Sequence, residues 1–483
     1  PTYLQDNLKH HLRPYQKQAL LHLAWTLQQP DTIQYRQLLF NMATGSGKTD
    51  IMAAIILYLY AEKGYHNFLF VANTNAVVAK TQDNLLNSAA EKYLYQMPIT
   101  INGEHLEIKA VTRYPEFPEV GVIYLRLTTI QTLTNELSSP RENGLTYEAL
   151  ARQKLIILAD EAHHFSAQTK SKADQLNSSW ENVLDRVRQG NSANRQFEFT
   201  ATIDVQEEAI YQKYRDKIVY RYNLSQFIKE GYSKRVYRLQ ANNDDAGKML
   251  NAVLLSQYRK RLAHSLGIDE FKPVILFKSN KIAVSKATRQ AFLAQIDQLN
   301  AHDLGQFIRQ QQRTSASQAL KLAYDYWLTQ DLATAVVEIN TAKEGIVGDL
   351  NDLRNLNTLE SPENPFRAIF AVAKLSEGWD VLNLYDIVRI GEQPTTLNQT
   401  NSEAQLIGRG ARYNPFSYHG QQSYTRRFDN EKPAYQLLES LYYHTINEPK
   451  YLENLKQALD KLDLPVEEDS DFDVFATTVK ASF

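Results

Sequence analysis

The sequence predicts an α/β protein built twice over, as two units that each carry a parallel sheet flanked by helices. Three observations lead there. Short apolar runs alternate with longer helical patterns, several runs end at small or charged residues, and the same plan returns in the second half of the chain. The first series is Leu38 to Phe40, Phe68 to Ala72, Leu155 to Ala159 and Phe197 to Phe199. The second is Val274 to Phe277, Ala335 to Ile339, Ala368 to Val372 and Ile387 to Ile390. Ligands of such sheets sit at the carboxyl ends of strands, where the unusual residues of this chain fall.

The chain has 483 residues, enough for two or three compact units. Hydrophobic residues are 43% and charged residues 22%, the balance of a globular protein, which excludes a disordered or fibrous chain. The most apolar stretch, Ile51 to Tyr60, is too short to span a bilayer, and the polar start from Pro1 to His11 does not resemble a signal peptide, so no membrane partner is expected. Pro1 in place of Met suggests processing or a cut. With no cysteine, disulfides and thiolate metal sites are excluded, which suits a reducing cytoplasm.

The formal net charge of −2 means that any grip on phosphates must be local. Lys213, Arg215, Lys217, Arg221, Lys229, Lys234, Arg235 and Arg238 are interleaved with Tyr214, Tyr220, Tyr222, Phe227, Tyr232 and Tyr237. Such a stretch either grips and stacks on a nucleic-acid strand or is a solvated linker with buried tyrosines. The polar break Asn242 to Asp245 places a boundary between Tyr220 and Ala246, giving units 1–230 and 231–483. A helical segment of about 285–330, Gln-rich from Gln295 to Gln330, reads as an insertion or as long crossover helices, and a helical extension is expected at the C-terminus.

After the first apolar run comes Met42-Ala43-Thr44-Gly45-Ser46-Gly47-Lys48-Thr49, then a helical stretch from Asp50. A strand, a glycine-rich loop and a helix in that order aim backbone N–H groups and the helix dipole at phosphates. Thr44, Gly45, Ser46 and Gly47 would cradle the phosphates, Lys48 would bind the β- and γ-phosphates, and Thr49 would ligate Mg²⁺. Met42 stands where the general pattern has glycine. Downstream, Leu155 to Ala159 ends in Asp160-Glu161-Ala162-His163. A carboxylate closing a buried strand suits Mg²⁺, and its neighbour can activate water, so Asp160 is the metal candidate and Glu161 the general base. A small-molecule P-loop kinase would share these residues but not the second half.

Asp-Glu-Ala-His after an apolar strand, together with Gly45 to Thr49, resembles the DEAH-type branch of superfamily 2 helicases. The resemblance implies two RecA-like domains with the ATP site in the cleft between them, complete only when the halves close. Leu12-Arg13-Pro14-Tyr15-Gln16 looks like the adenine-reading segment, with Gln16 as base contact. Thr200-Ala201-Thr202 is similar to the motif linking hydrolysis to domain movement, with His163 as relay. Leu375-Ser376-Glu377-Gly378-Trp379-Asp380 resembles motif V and makes Asp380 a nucleotide contact. Gln405-Leu406-Ile407-Gly408-Arg409-Gly410-Ala411-Arg412 fits motif VI, implying catalytic roles for Gln405, Arg409 and Arg412. Three residues apart on a helix, the two arginines would share one face.

Asp-Glu-Ala-His-His through His164, Glu-Gly-Trp-Asp from Glu377 to Asp380, and Leu441-Tyr442-Tyr443-His444 most resemble Res subunits of type III restriction enzymes. That implies an ATP-dependent DNA helicase or translocase with ATP and Mg²⁺ as cofactors, DNA as partner, and a methyltransferase or specificity subunit in a restriction complex. Val381-Leu382-Asn383 departs from the Asn-Pro usual after the aspartate, which keeps a helicase of another DNA defence or repair system open, as an RNA helicase also remains. Glu107-Ile108-Lys109 spells part of a nuclease pattern without its upstream Pro-Asp and reads as an exposed strand. The chain ends soon after the acidic run Glu467 to Asp473 as if a domain followed, so no cleavage is expected from this chain alone.

Overall fold

The computed structural model describes residues 1–29, 36–139, 144–162, 172–201, 203, 208–240, 244–314, 317–348, 356, 358–372, 381–391, 397–445, 449–461 and 464–469. The chain divides into two compact units, Pro1–Leu224 and Ser225–Phe483.

The first unit is an eight-stranded sheet of β1 Gln37–Met42, β2 Asn67–Ala72, β3 Ile99–Ile101, β4 Glu104–Ala110, β5 Val122–Thr129, β6 Leu155–Asp160, β7 Arg195–Thr200 and β8 Ile218–Tyr222. Their order is β3-β4-β5-β2-β6-β7-β1-β8. β3 and β4 pair antiparallel and the remaining pairs are parallel. Every residue of β1 and β2 is buried, as expected of strands covered by helices on both faces. The helix Lys48–Lys63 buries the unbroken run Ile51 to Leu59; an apolar surface on all sides sends a helix into the interior rather than to a solvated edge. β4 is largely exposed, and Lys109 pairs there with Glu107 and Glu119, so Glu107-Ile108-Lys109 is an exposed strand as its sequence suggested.

The second unit is a wholly parallel seven-stranded sheet in the order β11-β12-β10-β13-β16-β9-β17. Its strands are β9 Arg235–Gln240, β10 Val274–Lys278, β11 Val347–Gly348, β12 Ala368–Ala371, β13 Leu384–Arg389, β16 Ser440–Thr445 and β17 Glu467–Asp469; β14 Ser417–Tyr418 and β15 Gln421–Gln422 form a separate hairpin. The Gln-rich region forms the helices Ile282–Gln298, Ala301–Thr314 and Gln318–Thr329, which with Leu332–Ile346 connect β10 to β11. Trp327 and Tyr324 bury their rings against the helix Asp245–Ser265, and Trp327 Nε1 donates to the Leu254 carbonyl at 3.1 Å.

Ala335 to Ile339 is not a strand. It lies inside the helix Leu332–Ile346, where Ala335, Val336 and Ile339 are buried while Val337 is 63% exposed. That is the spacing of a helical stripe, and a five-residue apolar run cannot by itself distinguish the two periods.

Candidate nucleotide site and the arginine segment

β1 lies between β7 and β8, and its carboxyl end leads into the loop Ala43 to Gly47. Gly45 and Gly47 adopt φ of 83° and 74°, the left-handed region that glycine enters without strain. A Cβ at Gly47 would also lie 2.4 Å from Gln16 Nε2 and 2.9 Å from Asp50 Oδ2, so both side-chain ends would have to move, and Gln16 would have to leave its place against the loop. Gly47→Ala is therefore expected to weaken nucleotide binding by about tenfold or more, ~1.4 kcal/mol. Titration with a fluorescent ATP analogue checks this, and an unchanged affinity would show that the loop adapts.

The loop is braced from the N-terminal segment. Gln16 Nε2 donates to the Ser46 carbonyl at 3.0 Å, and its Oε1 accepts from the Arg13 N–H at 2.8 Å, which satisfies the N-cap donor at the start of the helix Pro14–Thr26. Tyr15 OH donates to the same Ser46 carbonyl at 3.1 Å, while its ring stacks on Tyr222 with centroids 4.4 Å apart. The sequence marked this segment but did not show that it holds the loop. Met42, in the usual glycine position, closes β1 with its side chain fully buried.

Three features fit a triphosphate. The helix beginning at Lys48 offers its first-turn N–H groups at the loop. Ser46 Oγ is buried and, among the described residues, has no hydrogen-bond partner. Among the described residues, Lys48 Nζ makes only long hydrogen bonds, 3.4 Å to the Met42 carbonyl and 3.5 Å to that of Ala43, which phosphate oxygens would replace at small cost. Thr44 and Thr49 are half-buried in the same segment.

Asp160 is the last residue of β6 and stands in register with Phe199 of β7, which is in register with Phe40 of β1. Two strand spacings, roughly 10 Å, separate it from Phe40, which lies two residues before the end of β1. Its carboxyl is pushed up to about 6, first by burial and then by the Glu161 carboxylate, against the opposing charges of Lys48 and Lys80. A divalent cation would reverse that shift, so the donor set of Asp160 with Thr49 fits Mg²⁺. Glu161 has φ of 52°, rare for a residue with a side chain, and its N–H donates to Asp160 Oδ1 at 3.0 Å. Asn41 adds a link that the sequence did not reveal: its Nδ2 donates to the carbonyls of Thr200 and Ala201, both at 3.3 Å, tying β1 to the segment after β7.

In the second unit, Gln405 and Arg409 are half-buried on the helix Leu397–Gly410. Glu403 anchors this helix, accepting from Tyr443 OH at 3.2 Å and from Tyr451 OH at 2.6 Å. Arg412 does not share its helical face with Arg409. The helix ends at Gly410, whose Cβ would meet Leu384 and Leu441 at 3.1 Å, so close packing on the sheet accompanies the end of the helix, and Arg412 instead forms an antiparallel bridge with Ser233.

Several residues of the basic and aromatic stretch are engaged within the protein. Lys213 pairs with Glu181 at 2.7 Å, Arg235 with Asp429 at 3.0 Å, and Lys234 and Arg238 are buried. Tyr222, Tyr232 and Tyr237 stack on Tyr15, Phe227 and Tyr442 inside their own units. Tyr214, Tyr222 and Phe227 are buried while Arg215, Arg221 and Lys229 are exposed, so the stretch combines buried rings with solvated basic residues. Thr202, His163, His164 and motif V from Leu375 to Asp380 lie outside the described residues.

A glycine loop between a buried strand and a buried helix, with a carboxylate closing another strand of the same mostly parallel sheet, defines a P-loop nucleotide-binding α/β protein. The family model "Type III restriction enzyme, res subunit" matches residues 9–205, and a second model, described as an N-terminal region, matches residues 399–468. A Haemophilus influenzae protein described as a probable type III restriction-modification enzyme HindVIP Res subunit is 36% identical over 446 residues, 81% of this chain and 86% of the relative. Among solved structures, a fragment of a putative HsdR subunit of a type I restriction enzyme from Vibrio vulnificus aligns at TM-score 0.47 and 16% identity, covering 96% of this chain and 70% of that one. The type ISP restriction-modification enzyme LlaBIII bound to DNA aligns at TM-score 0.49 and 13% identity, covering 95% and 31%. The chain belongs to the Res subunit family of type III restriction enzymes, and is thus an ATP-hydrolysing enzyme of the helicase type. Among the described residues no helix is long and apolar enough to cross a membrane.

Proposed function

We propose that the chain is a DNA-stimulated ATPase, the helicase or translocase motor of a type III restriction system. Residues 1–230 act as the ATP-binding helicase domain and 231–483 as the C-terminal helicase domain. The observation that carries the reading is the phosphate loop itself, with a buried Ser46 hydroxyl that has no partner among the described residues and a Lys48 held by long contacts, at the end of a strand in the same sheet as β6, which closes with Asp160.

Lys48 binds the β- and γ-phosphates, Gln16 faces the base, and Thr49 and Asp160 hold Mg²⁺. The ion supplies charge neutralisation at the phosphates. Glu161 accepts a proton from the attacking water, and Arg409 and Arg412, with Gln405, stabilise charge developing on the γ-phosphate. Kinship to a restriction-modification Res subunit supports DNA as the polymer and a methyltransferase subunit as partner.

The test is the ATPase rate with duplex DNA, single-stranded DNA, RNA and no polymer. Stimulation by DNA is expected. A rate indifferent to all four would overturn the motor, and stimulation by RNA alone would point to an RNA helicase.

A further inference from the structure

Lys234 has no part in the chemistry above, yet its side chain is fully engaged in the second unit. It is completely buried. Its Nζ donates to three main-chain carbonyls: Leu382 at 2.6 Å, Gly410 at 2.8 Å and Arg412 at 2.6 Å. Its own N–H donates to the Ala411 carbonyl at 2.7 Å, so one residue engages three consecutive carbonyls where the helix Leu397–Gly410 ends. Ser233 next to it forms the bridge with Arg412 and is itself held, because its carbonyl accepts from Arg426 Nη1 at 2.6 Å.

This arrangement matches the donor to its task. An ammonium has three N–H groups and no acceptor, and here each meets a carbonyl. One of those carbonyls, that of Gly410, closes a helix, where orphan oxygens carry partial negative charge. The Tyr385 ring, with its centroid 4.9 Å from Nζ, completes the pocket. Burial pushes the lysine well below its usual range, while Glu360 opposes that shift and also accepts the Leu382 N–H at 2.6 Å. An apolar chain would fill this volume without the desolvation cost, so what the ammonium uniquely supplies is a fixed relation among three strands of backbone.

We propose that Lys234 is a positioning residue for catalysis: by fixing the backbone of Gly410 and Arg412 against Leu382, it sets the direction of the Arg412 side chain. The inference rests on the reading of Arg412 as a catalytic arginine. It also gives a function to the segment after motif V, since Leu382 follows Asp380 by two residues and shares the same ammonium.

The experiment compares Lys234→Met, Arg412→Ala and the double variant in steady-state ATP turnover, with each rate divided by the fraction of molecules that bind a fluorescent ATP analogue. Misplacing a reacting group by about 1 Å costs on the order of 100-fold. Lys234→Met is therefore expected to lower kcat by about 10- to 100-fold per competent molecule with KM for ATP nearly unchanged, and the double variant to be no slower than Arg412→Ala alone. Turnover per competent molecule equal to the parent, or losses that multiply in the double variant, would overturn the positioning role while leaving the arginine reading intact. Full turnover in Arg412→Ala would remove both. Should Lys234→Met fail to fold, Lys234→Arg carries the same comparison, because it keeps the charge but cannot place three donors at one point.

Discussion

Arg412→Ala is expected to reduce ATP turnover by about 10³-fold or more, the scale on which arginines act in phosphoryl transfer, with nucleotide affinity changed far less. A guanidinium that meets charge only as it develops on the γ-phosphate contributes to the transition state and little to the ground state, so its loss appears in kcat. The backbone at this position is held by Lys234 and Ser233 independently of the side chain, so the fold should survive the truncation. Turnover per site, together with the affinity for a non-hydrolysable ATP analogue, checks the prediction. Weakened binding with little change in turnover would place Arg412 in nucleotide capture instead.

Glu161→Gln is expected to lower the chemical step by about 10²- to 10⁴-fold, the range for loss of a general base. The amide keeps the size of the carboxylate and leaves the Glu161 N–H free to donate to Asp160 as before. The neighbouring carboxylate is one cause of the raised Asp160, so removing it should draw Asp160 back toward the ordinary carboxylate range. Metal and nucleotide binding should therefore persist or strengthen while hydrolysis stops. Single-turnover hydrolysis beside Mg²⁺-dependent nucleotide binding separates these effects, and a full rate would take the base assignment away from Glu161.

The strand, glycine loop and helix around Lys48 were legible in the sequence because each is a local pattern: an apolar run, a cluster of small residues, and a continuous apolar helix. The position of Asp160 at a strand end was legible for the same reason. Ala335 to Ile339 is helical where the sequence suggests a strand, because a short apolar run carries no resolvable period. Lys234 is the clearest limit. In the sequence it is one of many basic residues among tyrosines, whereas in the structure its three acceptors lie 148, 176 and 178 residues away.

The sequence by itself determined the doubled α/β plan and placed the candidate groups at strand ends, since hydrophobic periodicity and glycine content are properties of neighbouring residues. Only the tertiary structure decided which lysines face inward, that the helix of Arg409 stops before Arg412, and that Tyr15, Gln16 and Asn41 brace the elements around the phosphate loop. Those outcomes depend on which distant carbonyls and rings come within hydrogen-bonding or stacking reach, and that is set by the packing of strands far apart in the chain.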